Sequence, residues 1–221
     1  MALEKKITDL LYSLGAADVG FASVPEFDKT LCRAVSIVMP LSEAVVDEID
    51  GAPTYSYFHH YRTLNAHIDR CLLQAGLLLQ REGWRYIPIP ASQSTGGFHG
   101  RFSHKQAAVL AGLGTMGRNG LFLHRRYGPA VRLGTLFTNA PLPAVRAEPQ
   151  IKCLDCMACV HACPAMAIPA GPVAIKEGQA IIDRQACSQY MKQHFQHIGR
   201  GAVCGVCISV CPMRKQSGGS F

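Results

Sequence analysis

Eight of the ten cysteines in this 221-residue chain crowd between Cys153 and Cys211 at spacings suited to metal chemistry. The first run is Cys153-x2-Cys156-x2-Cys159-x3-Cys163-Pro164. The second is Cys204-x2-Cys207-x3-Cys211-Pro212, with Cys187 lying 17 positions before Cys204. Two-residue gaps let three thiolates wrap one inorganic cube, while the fourth cysteine, followed by a chain-turning proline, faces away. Zinc also accepts paired Cys-x2-Cys units. Against zinc stand the triple spacing of Cys153, Cys156 and Cys159 and the two Cys-Pro terminators, so the spacing predicts two [4Fe-4S] clusters that pass electrons.

The first run resembles that of bacterial two-cluster ferredoxins, in which the fourth cysteine of a run ligates the other cluster. That resemblance implies crossed ligation. One cluster takes Cys153, Cys156, Cys159 and Cys211, and the other takes Cys163, Cys187, Cys204 and Cys207. Cys32 and Cys71 stand apart and read as core residues, because a free cysteine on an apolar face behaves as a small hydrophobe. His161, between Cys159 and Cys163, could hydrogen-bond a nearby cluster, but it reads first as an exposed turn histidine, and His194 and His197 read similarly.

The elements that must position these thiols follow from periodicity. Residues 2–14 read as an amphipathic helix closed by Gly15, and residues 34–39 as a buried strand ahead of Pro40. Residues 57–82 place Leu64, Ile68, Cys71, Leu72, Ala75, Leu78 and Leu79 at helical spacing and end at Gly83. A strand over 84–89 and a helix over 105–113, capped by Ser103, come next. Residues 121–124 and 131–138, separated by a turn with Tyr127, Gly128 and Pro129, predict a hairpin. The Pro-rich segment 141–149 reads as a linker, which gives domains of 1–149 and 150–221.

The formal net charge is +7, part of which two anionic clusters would offset. The charge is unevenly placed. Residues 83–147 contain no Asp or Glu but carry Arg85, Arg101, Lys105, Arg118, Arg125, Arg126, Arg132 and Arg146. Such a one-signed stretch attracts anions: phosphates of a cofactor, nucleic acid, or an acidic protein. No apolar run approaches the ~20 residues of a membrane span. Early charges at Glu4, Lys5, Lys6 and Asp9 do not fit a secretory signal, so the expected location is the cytoplasm, where thiols stay reduced.

Gly112-Leu113-Gly114-Thr115-Met116-Gly117 matches the dinucleotide fingerprint in letters. Its context does not match, since the glycines follow a helix and no acid for a ribose occurs before Glu148. The segment 111–121 (AGLGTMGRNGL), followed by Tyr127-Gly128, Arg132-Leu133 and Thr138-Asn139, resembles epoxyqueuosine reductases and corrinoid-dependent reductive dehalogenases. The Asp183-Arg184 pair and the two cysteine runs extend the resemblance over roughly residues 55 to 213.

The resemblance implies an α+β architecture, with a nitroreductase-like, cobalamin-binding type of α/β domain followed by a two-cluster ferredoxin-like domain. It implies cofactor-binding roles for Ser103, His104, Gly112, Gly114, Gly117, Arg118 and Asn119. Epoxyqueuosine reductases carry an aspartate ahead of the glycine loop as proton donor. Here no carboxylate lies between Glu82 and Glu148, which leaves Tyr57, Tyr61, His99 and His104 as candidate donors. The C-terminal helical repeat domain of the tRNA-modifying members is not represented, so transfer RNA is not the expected substrate.

Three functions compete. The first is an iron-sulfur oxidoreductase whose clusters feed a corrinoid or small substrate in the N-terminal domain. The second is an electron carrier that docks a partner enzyme and binds no corrinoid. The third, a nucleic-acid binder with structural clusters, lacks the interleaved aromatics that stack bases.

Overall fold

A computed structural model describes residues 2–93, 95–96, 100–144, 151–171, 175–176, 179–180, 182–199 and 203–215. The chain forms two compact units. One comprises Met1–Pro40, Leu64–Gly114 and Arg132–Gln150; the other comprises Leu41–Thr63, Thr115–Val131 and Ile151–Phe221. The second unit thus combines the cysteine-rich segment with two earlier pieces of chain. Most of the expected linker lies outside the described residues.

In chain order the elements begin with α1 (Leu3–Ser13), β1 (Asp18–Ser23), β2 (Arg33–Pro40), α2 (Glu43–Asp47), α3 (Tyr55–Arg81) and β3 (Tyr86–Ile89). Then come α4 (His104–Leu110), β4 (Gly114–Met116), β5 (Phe122–His124) and β6 (Val131–Thr138). The cysteine-rich part holds α5 (Ala158–Ala162), β7 (Ile175–Lys176), β8 (Gln179–Ala180), α6 (Arg184–His194), α7 (Gln196–Gly199) and α8 (Val206–Ser209), then a 3-10 turn at Pro212–Lys215.

The first unit is built on a four-stranded sheet of order β1-β2-β6-β3. β1 pairs antiparallel with β2, from Asp18 opposite Val38 to Ser23 opposite Arg33. β3 pairs antiparallel with β6, from Tyr86 opposite Thr138 to Ile89 opposite Thr135. Side chains alternate across a strand. Val35, Ile37 and Met39 accordingly join a core with Ile7, Leu11, Ile68, Leu72 and Leu79, and Ala34 joins a separate one with Val24, Ile89 and Phe137. Both faces of β2 are thus covered, which explains why it is apolar on both sides apart from the buried Ser36. Gly134 on β6 lets α3 approach closely, since a Cβ there would stand 2.5 Å from Ile68. In the second core Phe27 stacks on Phe137 with centroids 3.7 Å apart.

The expected helices and strands are present with shifted ends, but the hairpin of 121–124 with 131–138 is not. β5 pairs with β4, and β6 lies between β2 and β3. The reason is burial. Seven of the eight β6 residues are buried, and a strand so covered needs partners on both edges, which the three residues of β5 cannot supply.

In the second unit, the piece preceding α3 is fastened to the C-terminal turn. Arg214 pairs with Asp47 at 2.5 Å and donates through Nε to the Ser209 carbonyl at 2.6 Å. Gly128, at φ +50°, abuts the backbone of Met213 and Arg214, where a Cβ would approach to 2.7 Å. Among the described residues no helix is long and apolar enough to cross a membrane.

Candidate metal centre

The first cysteine run is folded by two left-handed residues, Asp155 at φ 55° and Met157 at φ 62°. A non-glycine residue rarely adopts this conformation, and alternating it with ordinary backbone turns successive N–H groups inward, a concavity suited to anions. α5 then carries Cys159 and ends at Cys163, where the Ala167 N–H donates to the Cys163 Sγ at 3.4 Å. In the second run Gly205, at φ 87°, makes the equivalent turn between Cys204 and Cys207. A Cβ at Gly205 would stand 2.8 Å from both Ile49 and the Tyr57 ring, so only glycine fits. Cys187 rides on α6, whose first turn is capped by Asp183 accepting from the Ala186 N–H at 2.8 Å.

Several of the eight thiols are raised by burial and by their neighbours. Burial raises the Cys159 pKa, and Cys153, Cys211 and Cys156 raise it further. Burial likewise raises Cys211, with Cys153 and Cys156 adding to it. Burial also raises Cys187, and Cys204 and Cys163 add to the shift. Cys207 is pushed far up, first by burial and then by Cys204, Cys187 and Cys163, with Cys159 contributing last. The thiol neighbours of Cys159 and Cys211 thus fall in the quartet Cys153, Cys156, Cys159 and Cys211, and those of Cys187 in the quartet Cys163, Cys187, Cys204 and Cys207, while Cys207 also feels Cys159.

Buried thiols packed this closely resist ionisation on their own, whereas a metal centre deprotonates its thiols outright. All ten cysteines are free of disulfides. Eight free thiols at this spacing supply the four thiolates that each of two [4Fe-4S] clusters takes. One cavity is lined by Cys153, Cys156, Cys159 and Cys211, with walls from Leu123, Leu154 and Met213.

Arg118 and Asn119 line the same cavity, and both are buried. The Arg118 Nε donates to Asp155 at 2.9 Å, and its Nη1 donates to the carbonyls of Pro169 at 3.1 Å and Gly171 at 2.5 Å. A second contact, from Nη2, closes the ion pair with Asp155. Asn119 donates through Nδ2 to the Cys207 carbonyl at 3.2 Å and accepts from the Leu121 N–H at 3.1 Å. Two adjacent side chains thus hold the two cysteine runs, a role that sequence reasoning missed. Its one legible signal was the pairing of Arg118 and Asn119 within a glycine-rich loop.

The remaining candidates fall in separate places. In the first unit, Ser103 caps α4 by accepting from the Gln106 N–H at 3.3 Å. His104 Nε2 faces the Pro90 carbonyl at 3.0 Å, which can only accept, so that nitrogen carries the proton and Nδ1 accepts from the Thr135 hydroxyl at 2.9 Å. Burial lowers the His104 pKa and nearby Arg132 lowers it further, against the Pro90 bond and Asp69. Gly112, at φ 74°, closes α4 through the Leu113 N–H bond to the Ala108 carbonyl, and Gly114 begins β4.

In the second unit, Gly117 leaves room for the Asn119 Oδ1, which a Cβ would approach to 2.8 Å. Tyr57 is buried against Gly205, and its ring stacks with Tyr61 at 6.5 Å. His99 lies outside the described residues. Cys71 is buried and Cys32 is partly so, while His161, His194 and His197 are exposed.

Residues 152–214 match the family model described as a 4Fe-4S double cluster binding domain. This segment is a two-cluster iron-sulfur domain. Over 115 residues the chain is 36% identical to the tetrachloroethene reductive dehalogenase of Sulfurospirillum multivorans, a match covering 49% of this chain and 23% of that relative.

Among solved structures, a reductive dehalogenase whose structure suggests a mechanism for B12-dependent dehalogenation is similar over 96% of this chain. It is 21% identical, with a TM-score of 0.81, and the match takes in 31% of that chain. Epoxyqueuosine reductase from Streptococcus thermophilus is similar over 97% of this chain and 66% of its own, at 18% identity and TM-score 0.64. The mixed α/β fold is shared with both groups, and the chain spans less than a third of the dehalogenases' length.

Proposed function

We propose that this chain is an iron-sulfur reductase whose two crossed quartets hold [4Fe-4S] clusters that deliver electrons to a corrinoid, or to a small substrate, held by its N-terminal, nitroreductase-like part. The observation that carries this reading is the cavity that gathers Cys153, Cys156 and Cys159 of the first run with Cys211 of the second, within the segment that matches a 4Fe-4S double cluster model. The 36% identity to a tetrachloroethene reductive dehalogenase supports a reductive role. The likeness to a B12-dependent dehalogenase supports a corrinoid as the acceptor.

A bound cobalamin would supply a low-valent metal able to reduce or attack an organic substrate. The side chains first assigned to its amides and phosphate, Ser103, His104, Arg118 and Asn119, make internal hydrogen bonds. Any contact by these four must therefore use a remaining valence or break a bond. His104 is held neutral with both ring nitrogens engaged, so it serves better to fix Thr135 and Pro90 than to donate a proton. Transfer RNA is not part of the reading, and a cytoplasmic location suits eight reduced thiols.

Anaerobic gel filtration of the protein mixed with cobalamin tests the acceptor. Co-elution is the expected result, and a corrinoid that elutes entirely apart contradicts it. A second reading, an electron carrier docking a partner enzyme, is favoured by one observation. Cys156 is exposed and its neighbour Leu154 is 55% exposed, so one edge of that quartet faces solvent. In that case clusters reduce reversibly while no corrinoid binds.

A further inference from the structure

We propose that Arg118 is a positioning residue that raises the reduction potential of the cluster held by Cys153, Cys156, Cys159 and Cys211, relative to the other cluster. The inference rests on reading that quartet as a cluster site. Its basis is an asymmetry in one ion pair. The Arg118 side chain is 5% exposed, whereas that of Asp155 is 64% exposed. Water screens the carboxylate, while the guanidinium acts through the protein, where charges interact more strongly.

Arg118 lines the same cavity as all four cysteines of this quartet. One-electron reduction adds a negative charge to a cluster, and a fixed cation nearby stabilises the reduced form. Net charge around a cluster is one of the levers that set its potential.

The position of the cation is fixed by its bonds. Asp155 sits between Cys153 and Cys156 in a left-handed conformation, φ 55°, that a non-glycine residue rarely adopts. Arg118 grips that residue through Nε at 2.9 Å and reaches the carbonyls of Pro169 and Gly171. None of these contacts is to a member of the second quartet. Asn119, the next residue, holds Cys207 with a neutral amide. The loop thus presents charge to one quartet and a neutral hydrogen bond to the other.

The test is an anaerobic titration of the holoprotein with dithionite and redox mediators, followed by electron paramagnetic resonance. A Cys156→Ser variant marks which transition belongs to the first quartet. Arg118→Gln is expected to move that transition to lower potential and leave the other in place. Asp155→Asn, which removes the opposing anion, is expected to move the same transition to higher potential.

The proposal is overturned if Arg118→Gln moves neither transition or both together. A shift of the same sign in Asp155→Asn also overturns it, since loosening of the loop would explain both. Should Arg118→Gln not retain that cluster, Asp155→Asn alone decides: a rise supports the proposal, and a fall or no change overturns it. Wild-type protein lacking iron would be a different failure, that of the cluster reading itself.

Discussion

The Asn119 Nδ2 donates to the backbone carbonyl of Cys207 at 3.2 Å, tying the glycine-rich loop to the second cysteine run. Asn119 also accepts from the Leu121 N–H, so one buried amide closes its own loop and braces a thiol-bearing one. A hydrogen bond of this kind contributes a net ~1 kcal/mol, and a buried partner left unsatisfied costs more. Asn119→Ala is expected to destabilise the holoprotein by ~1–3 kcal/mol in anaerobic urea unfolding. Visible absorbance during unfolding should show iron lost at a lower urea concentration than in the wild type.

The cysteine quartets make separable demands. Cys187→Ala removes one member of the second quartet and is expected to leave about four irons per chain, those of the first cluster. Cys32→Ala and Cys71→Ala should keep the full complement, because neither belongs to a quartet. Iron analysis after anaerobic purification decides, and an undiminished iron content in Cys187→Ala would remove that residue from the ligand set.

His104 gives the fold a pH signature. Its folded pKa lies below the ordinary histidine value, because burial disfavours the imidazolium. Above ~6.5 the imidazole is neutral whether folded or unfolded, so it has no effect on stability there. Below ~6.5 the unfolded chain binds a proton that the folded chain refuses, and stability falls as pH drops. His104→Gln should flatten this part of the profile in unfolding measurements between about pH 7 and 5. An unchanged slope would mean that the ring is free to charge in the folded state.

Gly112 meets a conformational requirement. At φ 74° it closes α4, and an alanine there meets the left-handed penalty of ~1–2 kcal/mol. Gly112→Ala should lower thermal stability by that amount and leave the iron content intact.

The cysteine runs, α1, α3 and the Ser103 cap were legible because each is written in local spacing. Ile68, Leu72 and Leu79 mark a buried helical face by themselves, and Cys163-Pro164 marks the end of a run. The place of β6 was not legible, since its partners β2 and β3 lie about 95 and 45 residues away in sequence and local pattern favours the nearest strand. The recruitment of 41–63 into the cysteine-bearing unit includes Arg214 meeting Asp47, a pairing of distant residues that no periodicity encodes. The same holds for Arg118 and Asp155. A lone basic residue beside glycines suggested an anion, and only the fold reveals that a carboxylate of the first cysteine run already occupies it.

The central claim is that the two quartets each hold a cube of iron and sulfide. Quantifying iron and acid-labile sulfide in anaerobically purified protein tests it most directly. The account requires about eight of each per chain. Zinc in place of iron, or iron without sulfide, would contradict it.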